Sequence, residues 1–205
     1  MIKIEKKEDC CGCTACYNSC PRKAISMKPD QEGFLYPLVN VEKCIDCGLC
    51  DSVCPVKNKM EIEQFDRSAY ALRANSSQVV STSTSGGFVS PLAEWVFEHD
   101  GVVCGATYDD EFRVIHKISG GGTKEFRGSK YVQSDLNDCF AKIKIYLEQG
   151  SLVCFIGTTC QVYGLMTYLK KKYRNLLTID LVCHGTPSPK LWEKYLSEQK
   201  SKYHS

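Results

Sequence analysis

Eight of the 14 cysteines in this chain fall into two runs of identical spacing, C-x2-C-x2-C-x3-C-P. One run is Cys10, Cys13, Cys16 and Cys20 followed by Pro21, and the other is Cys44, Cys47, Cys50 and Cys54 followed by Pro55. Three cysteines at two-residue spacing wrap a tight loop around one face of a cubane 4Fe-4S cluster, while the fourth, carried off by a short helix, reaches the neighbouring cluster. The ligand sets are therefore expected to be crossed, with Cys10, Cys13, Cys16 and Cys54 on one cluster and Cys44, Cys47, Cys50 and Cys20 on the other. A disulfide framework needs an oxidising compartment, and the N-terminus carries nothing like a secretory signal. Structural zinc sites pair two C-x2-4-C knuckles per metal and leave a third cysteine followed by C-P unexplained.

Other candidate chemistry lies outside these runs. Cys11 is out of register and reads as a spectator. The stretch STSTSGG sets hydroxyls and unhindered backbone N–H groups, including those of Ser85, Gly86 and Gly87, ahead of a helix N-terminus, a natural seat for a pyrophosphate. The same residues also suit a helix cap and a loop. Lys130 could pair with such phosphates and Tyr131 could stack on a ring, or the two could be a solvated lysine beside a core tyrosine. Cys104, Cys139 and Cys154 sit in apolar stripes and are assigned to packing. His184, in a turn, could donate a proton, although a lone turn histidine usually has no catalytic part.

Elements that could position these groups follow from periodicity. Residues 1–5, 24–27 and 34–39 read as short extended pieces around the two cysteine runs. Gly12 and Gly48 lie inside the ligand loops, where a residue without Cβ lets the backbone curl and aim N–H groups at sulfur. A charged linker without period follows at 58–67. Residues 68–73 are strand-like and 75–87 form a polar loop. Phe88, Leu92, Trp95 and Val96 recur at helical spacing, with Pro91 in the first turn and Gly101 closing the end. Residues 101–108 and 112–119 make a hairpin. A helix opened by Ser134 carries Leu136, Cys139, Phe140, Ile143 and Leu147 and stops at Gly150. Then SLVCFIG, a helix with Val162, Leu165, Met166 and Leu169, and a strand over 176–182 form a parallel, right-handed βαβ unit, before a helix capped by Ser188 with Pro189 at its first position. The turns GTTCQ and CHGTPSP emerge at the sheet edge where open α/β folds bind ligands, which places Cys160 and Cys183 near one another.

Composition bounds the partners. With 26 basic and 24 acidic residues the net charge is +2, too little to attract nucleic acid or an anionic membrane. No apolar run is long enough to span a bilayer. The thiol content implies a reducing cytoplasm. The length leaves room for a second, core-bearing domain of roughly 140 residues.

Over residues 1–57 the duplicated run resembles the bacterial two-cluster ferredoxin motif at every ligand position. The stretches SGG (85–87), RGSKYVQS (127–134), GTTCQVYGL (157–165) and DLVCHGTPSP (180–189) resemble the signatures of the coenzyme F-420 hydrogenase/dehydrogenase beta-subunit family. The expected fold is an α+β ferredoxin module (1–57), a linker (58–67), and a flavin-oxidoreductase-like α/β domain (68–205) containing the parallel βαβ unit. The resemblance implies FAD beside two 4Fe-4S clusters, with Ser85, Gly86, Gly87, Lys130, Tyr131, Thr158 and Gln161 at the flavin. It also implies a further large segment beyond Ser205 carrying more cysteines, so that Cys160 and Cys183 could belong to a third cluster; small buried hydrophobes is the other reading. Thr159 departs from the family, which usually has proline there.

Two functions fit. A flavin takes a hydride as a pair of electrons and a cubane takes one, so their fusion would be an oxidoreductase that relays electrons between a small-molecule hydride donor or acceptor and a redox partner protein or subunit. The alternative is a ferredoxin-type carrier whose second domain docks a partner and binds no flavin.

Overall fold

The computed structural model describes residues 1–58 and 68–203, so most of the expected linker lies outside the described residues. The cysteine-rich segment is built from two very short helices, α1 (Ala15–Ser19) and α2 (Leu49–Ser52), and an antiparallel hairpin of β1 (Ile25–Pro29) and β2 (Leu35–Val39) paired Ile25 to Val39 through Pro29 to Leu35. Each helix begins immediately after the second cysteine of its run and one residue, which sets the third cysteine on the helix and the fourth just past its end.

Residues 1–5 do not form the expected strand. They find no ladder partner; instead the chain passes over both cysteine runs, with Met1 beside the second and Ile2 and Ile4 beside the first. The Met1 ammonium binds Asp46 at 2.7 Å and Asp51 at 3.3 Å, which fastens this strap.

Downstream, α3 (Ser77–Ser81) and α4 (Val89–Glu98) precede a four-stranded sheet in the order β4-β3-β5-β6, made of β3 (Val102–Tyr108), β4 (Val114–Ser119), β5 (Val153–Thr158) and β6 (Leu176–Leu181). The expected hairpin is β3–β4, antiparallel, and the expected parallel βαβ unit is β5, α6 (Thr159–Leu169) and β6. Side chains alternate across each strand. Val153 and Phe155 of β5 therefore enter one core with α5 (Cys139–Glu148) and α6, whereas Cys154 and Ile156 enter a second core under α4. Helix α7 (Pro189–Tyr203) starts as read from the sequence, with the Leu191 amide donating to the Ser188 hydroxyl at 3.2 Å.

Three local expectations are corrected. Residues 68–73 make no ladder; the neighbouring Ala74 amide donates to the Gly86 carbonyl at 2.7 Å, and Tyr70 and Leu72 stay exposed. The polar loop at 75–87 contains α3, because the Ser76 hydroxyl accepts from the Val79 amide and so supplies a helix cap. The helix expected from Ser134 begins only at Cys139, since the buried Ser134 hydroxyl accepts from Gln161 Nε2 at 2.8 Å and is not available as a cap.

The cysteine-rich segment and the sheet share one core. Cys13, Ala15 and Val53 are buried in the same cluster as Phe140, Ile143, Phe155, Val162 and Leu165. Asn18 bridges the two parts, donating to the Asn137 carbonyl at 2.9 Å and accepting from the Ala141 amide at 3.2 Å.

Candidate metal centres

Each cysteine run folds into a loop that places two residues in the left-handed region just before and just after its second cysteine. In the first loop these are Gly12 (φ 67°) and Thr14 (φ 60°), and in the second Asp46 (φ 48°) and Gly48 (φ 74°). Left-handed backbone costs a residue with a Cβ about 1–2 kcal/mol, so each loop lightens the cost with one glycine, placed at a different one of the two positions. This conformation turns the first three thiols inward.

Two hollows result. One is lined by Cys10, Cys13, Cys16 and Cys54, together with Cys11, Ile2, Ile4, Met27 and Pro55. The other is lined by Cys44, Cys47, Cys50 and Cys20, with Met1, Ile25, Val39, Ile45 and Leu49. The crossing arises because α1 and α2 carry Cys20 and Cys54 away from their own loops. All of these cysteines are free thiols. Among the described residues no three metal-ligating groups converge on a single-ion position, and each set of four thiols instead stands around an apolar space.

The donor set suits a 4Fe-4S cluster. Backbone amides already point at sulfur, Ile2 to Cys50 Sγ at 3.2 Å and Ala24 to Cys20 Sγ at 3.3 Å, the bonds that stabilise a thiolate ligand. Burial pushes the Cys10 thiol up and the Cys16 thiol up to about 12. Thiols so placed stay protonated in an apolar pocket unless a metal displaces the proton, which iron does by direct ligation.

The surroundings of the two sets differ. Helix α6 lies against the first. A Cβ added at Gly164 would fall 2.8 Å from Cys13 Cβ and 2.9 Å from Cys13 Sγ, closer than atoms approach, so only glycine lets the helix reach this ligand. On the same helix Thr167 donates to the Val53 carbonyl at 2.7 Å, one residue before Cys54, and Lys170, just past its end, donates to the Ser52 hydroxyl at 2.9 Å. Gln133 accepts from the Leu35 amide at 3.1 Å and packs on Gly12. Gly164, Thr167 and Gln133 were not singled out from the sequence, although Gly164 and Gln133 stand in the stretches GTTCQVYGL and RGSKYVQS. The second set opens outward, with Cys47, Ile45 and Leu49 exposed.

The residues expected around a flavin are partly assembled. Arg127 joins the two loops through Thr82 at 3.0 Å and Ser90 at 2.9 Å, and the Ser129 amide donates to Thr84 Oγ1 at 2.9 Å. Lys130 is half-buried and donates to the Glu125 and Arg127 carbonyls at 3.0 and 2.9 Å, with desolvation pulling its pKa down, and Tyr131 is exposed. Gly86 has an immediate structural reason: a Cβ there would lie 2.4 Å from the Leu72 carbonyl oxygen. Thr158 and Gln161 are committed to each other in a capping box at the start of α6. The two loops expected at a phosphate thus adjoin one another, while two of the seven expected residues, Thr158 and Gln161, already serve the start of α6.

Of the turn cysteines, Cys183 is exposed and accepts from the Gly185 amide at 3.3 Å. Cys160 is half-buried, with its sulfur 3.2 Å from Thr158 Oγ1. His184 is exposed.

Residues 9–58 match the 4Fe-4S dicluster domain, and residues 150–205 match the C terminus of the coenzyme F-420 hydrogenase/dehydrogenase beta subunit. Curated relatives match between a quarter and a third of the chain. A polyferredoxin-like protein of Methanocaldococcus jannaschii is 39% identical over 66 residues, covering 27% of this chain and 39% of that protein. Pyruvate synthase subunit PorD of Thermotoga maritima is 42% identical over 55 residues, 27% of this chain and 52% of the relative. Ketoisovalerate oxidoreductase subunit VorC of Methanothermobacter marburgensis is 36% identical over 61 residues, 29% of this chain and 77% of the relative. The chain thus spans between a quarter and about half of the first three relatives it matches. Among the described residues no helix is long and apolar enough to cross a membrane.

Proposed function

We propose, from the match of residues 150–205 to the C terminus of the coenzyme F-420 hydrogenase/dehydrogenase beta subunit and of residues 9–58 to the 4Fe-4S dicluster domain, that this chain relays electrons through two clusters between a flavin in its α/β domain and a redox partner protein or subunit. When bound, the clusters supply one-electron sites and FAD a two-electron site that can exchange a hydride with a small molecule. Cys10, Cys13, Cys16 and Cys54 hold the inner cluster, and Cys44, Cys47, Cys50 and Cys20 the outer one. The observation that carries this reading is the packing of α6, in the segment matched to the beta-subunit family, directly on Cys13. Phe140, Val162 and Leu165 keep water from that contact, and the exposed rim of Ile45 and Leu49 gives a partner access to the second set. The flavin seat is assigned to Ser85, Gly86, Gly87, Lys130 and Tyr131.

The other reading, an electron carrier whose α/β domain docks a partner without flavin, is favoured by the structural duties of Thr158, Gln161 and Gly86. Cofactor analysis of anaerobically purified protein separates them. About eight irons with matching sulfide are expected for two clusters, together with one flavin per chain. Iron without flavin supports the carrier, and zinc in place of iron overturns both.

A further inference from the structure

We propose that Arg127, with the backbone amides of residues 84–88, forms a seat for a phosphate group, and that Arg127 rather than Lys130 is the cation that grips it. That the group is the pyrophosphate of a flavin dinucleotide rests on the reading above; that it is a phosphate rests on the charges and donors of this corner. Thr82 stands just before the loop and Ser90 just after it, and the guanidinium reaches both, Nε donating to Ser90 Oγ at 2.9 Å and Nη1 to Thr82 Oγ1 at 3.0 Å. Nη2 donates to Thr123 Oγ1 at 3.2 Å. Arg127 therefore draws the two ends of the loop together, while Thr84 within it accepts from the Ser129 amide.

Donors outnumber acceptors here. The second N–H of each terminal nitrogen of Arg127 has no partner among the described residues, and neither do the amides of Thr84, Ser85, Gly86, Gly87 and Phe88. The acceptors on the guanidinium are all neutral hydroxyls, of which those of Ser90 and Thr123 belong to buried residues. Neutral oxygens satisfy the geometry of this half-buried cation but leave its charge uncompensated, which is unfavourable until an anion joins it. Among the described residues no carboxylate pairs with Arg127 or Lys130, and that of Glu125, close by in the chain, is taken by Lys117 at 2.7 Å.

Lys130 has a different part. Its ammonium donates to the Glu125 and Arg127 carbonyls and lies 5.9 Å from the centre of the Tyr108 ring, so it positions the segment that carries Arg127. The planar fork of an arginine holds two phosphate oxygens at once, which the point charge of a lysine does not. Space for the ligand adjoins the fork: at Gly128 (φ 76°) nothing lies within 4 Å of where a Cβ would stand.

Cluster-loaded protein, freed of any flavin it retains, is titrated with FAD, with riboflavin, which lacks the phosphates, and with inorganic pyrophosphate. Expected is that FAD binds, that pyrophosphate competes with it, and that riboflavin binds at least about 10-fold more weakly than FAD. Arg127→Gln is expected to weaken FAD and pyrophosphate by about 10- to 100-fold, with riboflavin unaffected and iron retained. Because Arg127 also joins two loops, Arg127→Lys is the variant to read where the glutamine one does not fold; it keeps the charge and loses the fork, and about a 10-fold loss for the same two ligands is expected. Unchanged pyrophosphate affinity in a folded Arg127 variant overturns the proposal, as does FAD binding that pyrophosphate does not compete with, and in both cases the flavin reading stands. Binding of pyrophosphate through Arg127 without binding of FAD upholds the phosphate seat and overturns the flavin reading, and binding of neither overturns both.

Discussion

The two cysteine runs are one motif in two environments. Residue for residue, the first places Cys13 and Ala15 in the shared core where the second leaves Cys47 and Leu49 exposed, and its Cys11 packs half-buried against that core where Ile45 meets solvent. Ligand spacing is identical, so spacing does not distinguish the inner set from the outer. What distinguishes them is which loop receives α6. The lesson is that a duplicated cofactor motif becomes directional only when one copy is buried against another domain.

The strongest test of this contrast uses Cys16 on α1 and Cys20 just past its end, which are assigned to different sets. Cys16→Ala is expected to remove the inner cluster and Cys20→Ala the outer, each costing about four irons. Paramagnetic resonance of the reduced variants identifies the survivor, and loss of the same signal from both would break the crossed assignment.

Acid should separate the two environments by a smaller amount. His116 is buried, stacks on Phe155 at 5.5 Å, and is held down to about 4 by desolvation from an ordinary 6.5. In the unfolded chain it takes a proton near 6.5, whereas the folded protein resists until about 4, so the unfolded state binds more protons across that window. The associated stability is full above 6.5 and falls as pH drops towards 4, by roughly 3 kcal/mol in all. Denaturant midpoints measured between these pH values should fall more steeply in the wild type than in His116→Asn. Because Phe155 meets Phe140 at 5.9 Å in the core shared with Cys13, the inner cluster's signal should broaden before the outer one's.

Gly164→Ala sharpens the comparison further. Crowding Cys13 is expected to cost about 1–3 kcal/mol and to alter the spectrum of the inner cluster alone. Gly48→Ala, at a left-handed position with open space around it, should cost about 1 kcal/mol and disturb only the outer one. Equal effects of both substitutions on both signals would erase the distinction. The smallest change is expected from Thr167→Val, which removes the bond to the Val53 carbonyl for about 1 kcal/mol, read as a lowered thermal midpoint with all iron retained.

Much was legible from the residues alone because it rests on local rules. The cysteine spacing led to the expectation of two crossed thiol sets, and the two hollows of the structure are lined by those same groups of four. Apolar periodicity determined the β3–β4 hairpin, the parallel β5-α6-β6 unit and the Ser188 cap. Short-range pattern misjudged residues 1–5, whose alternation matches a strand but which bind a sulfur and two carboxylates instead, and Ser134, whose hydroxyl is taken by a glutamine 27 positions away. Tertiary structure alone decided that Gly164 touches Cys13, that Thr167 reaches the Val53 carbonyl, and that Gln161 takes the Ser134 hydroxyl. Those contacts join segments more than a hundred residues apart or compete for a single hydrogen-bonding group, and neither distance in space nor competition for a partner is written in the local order of side chains.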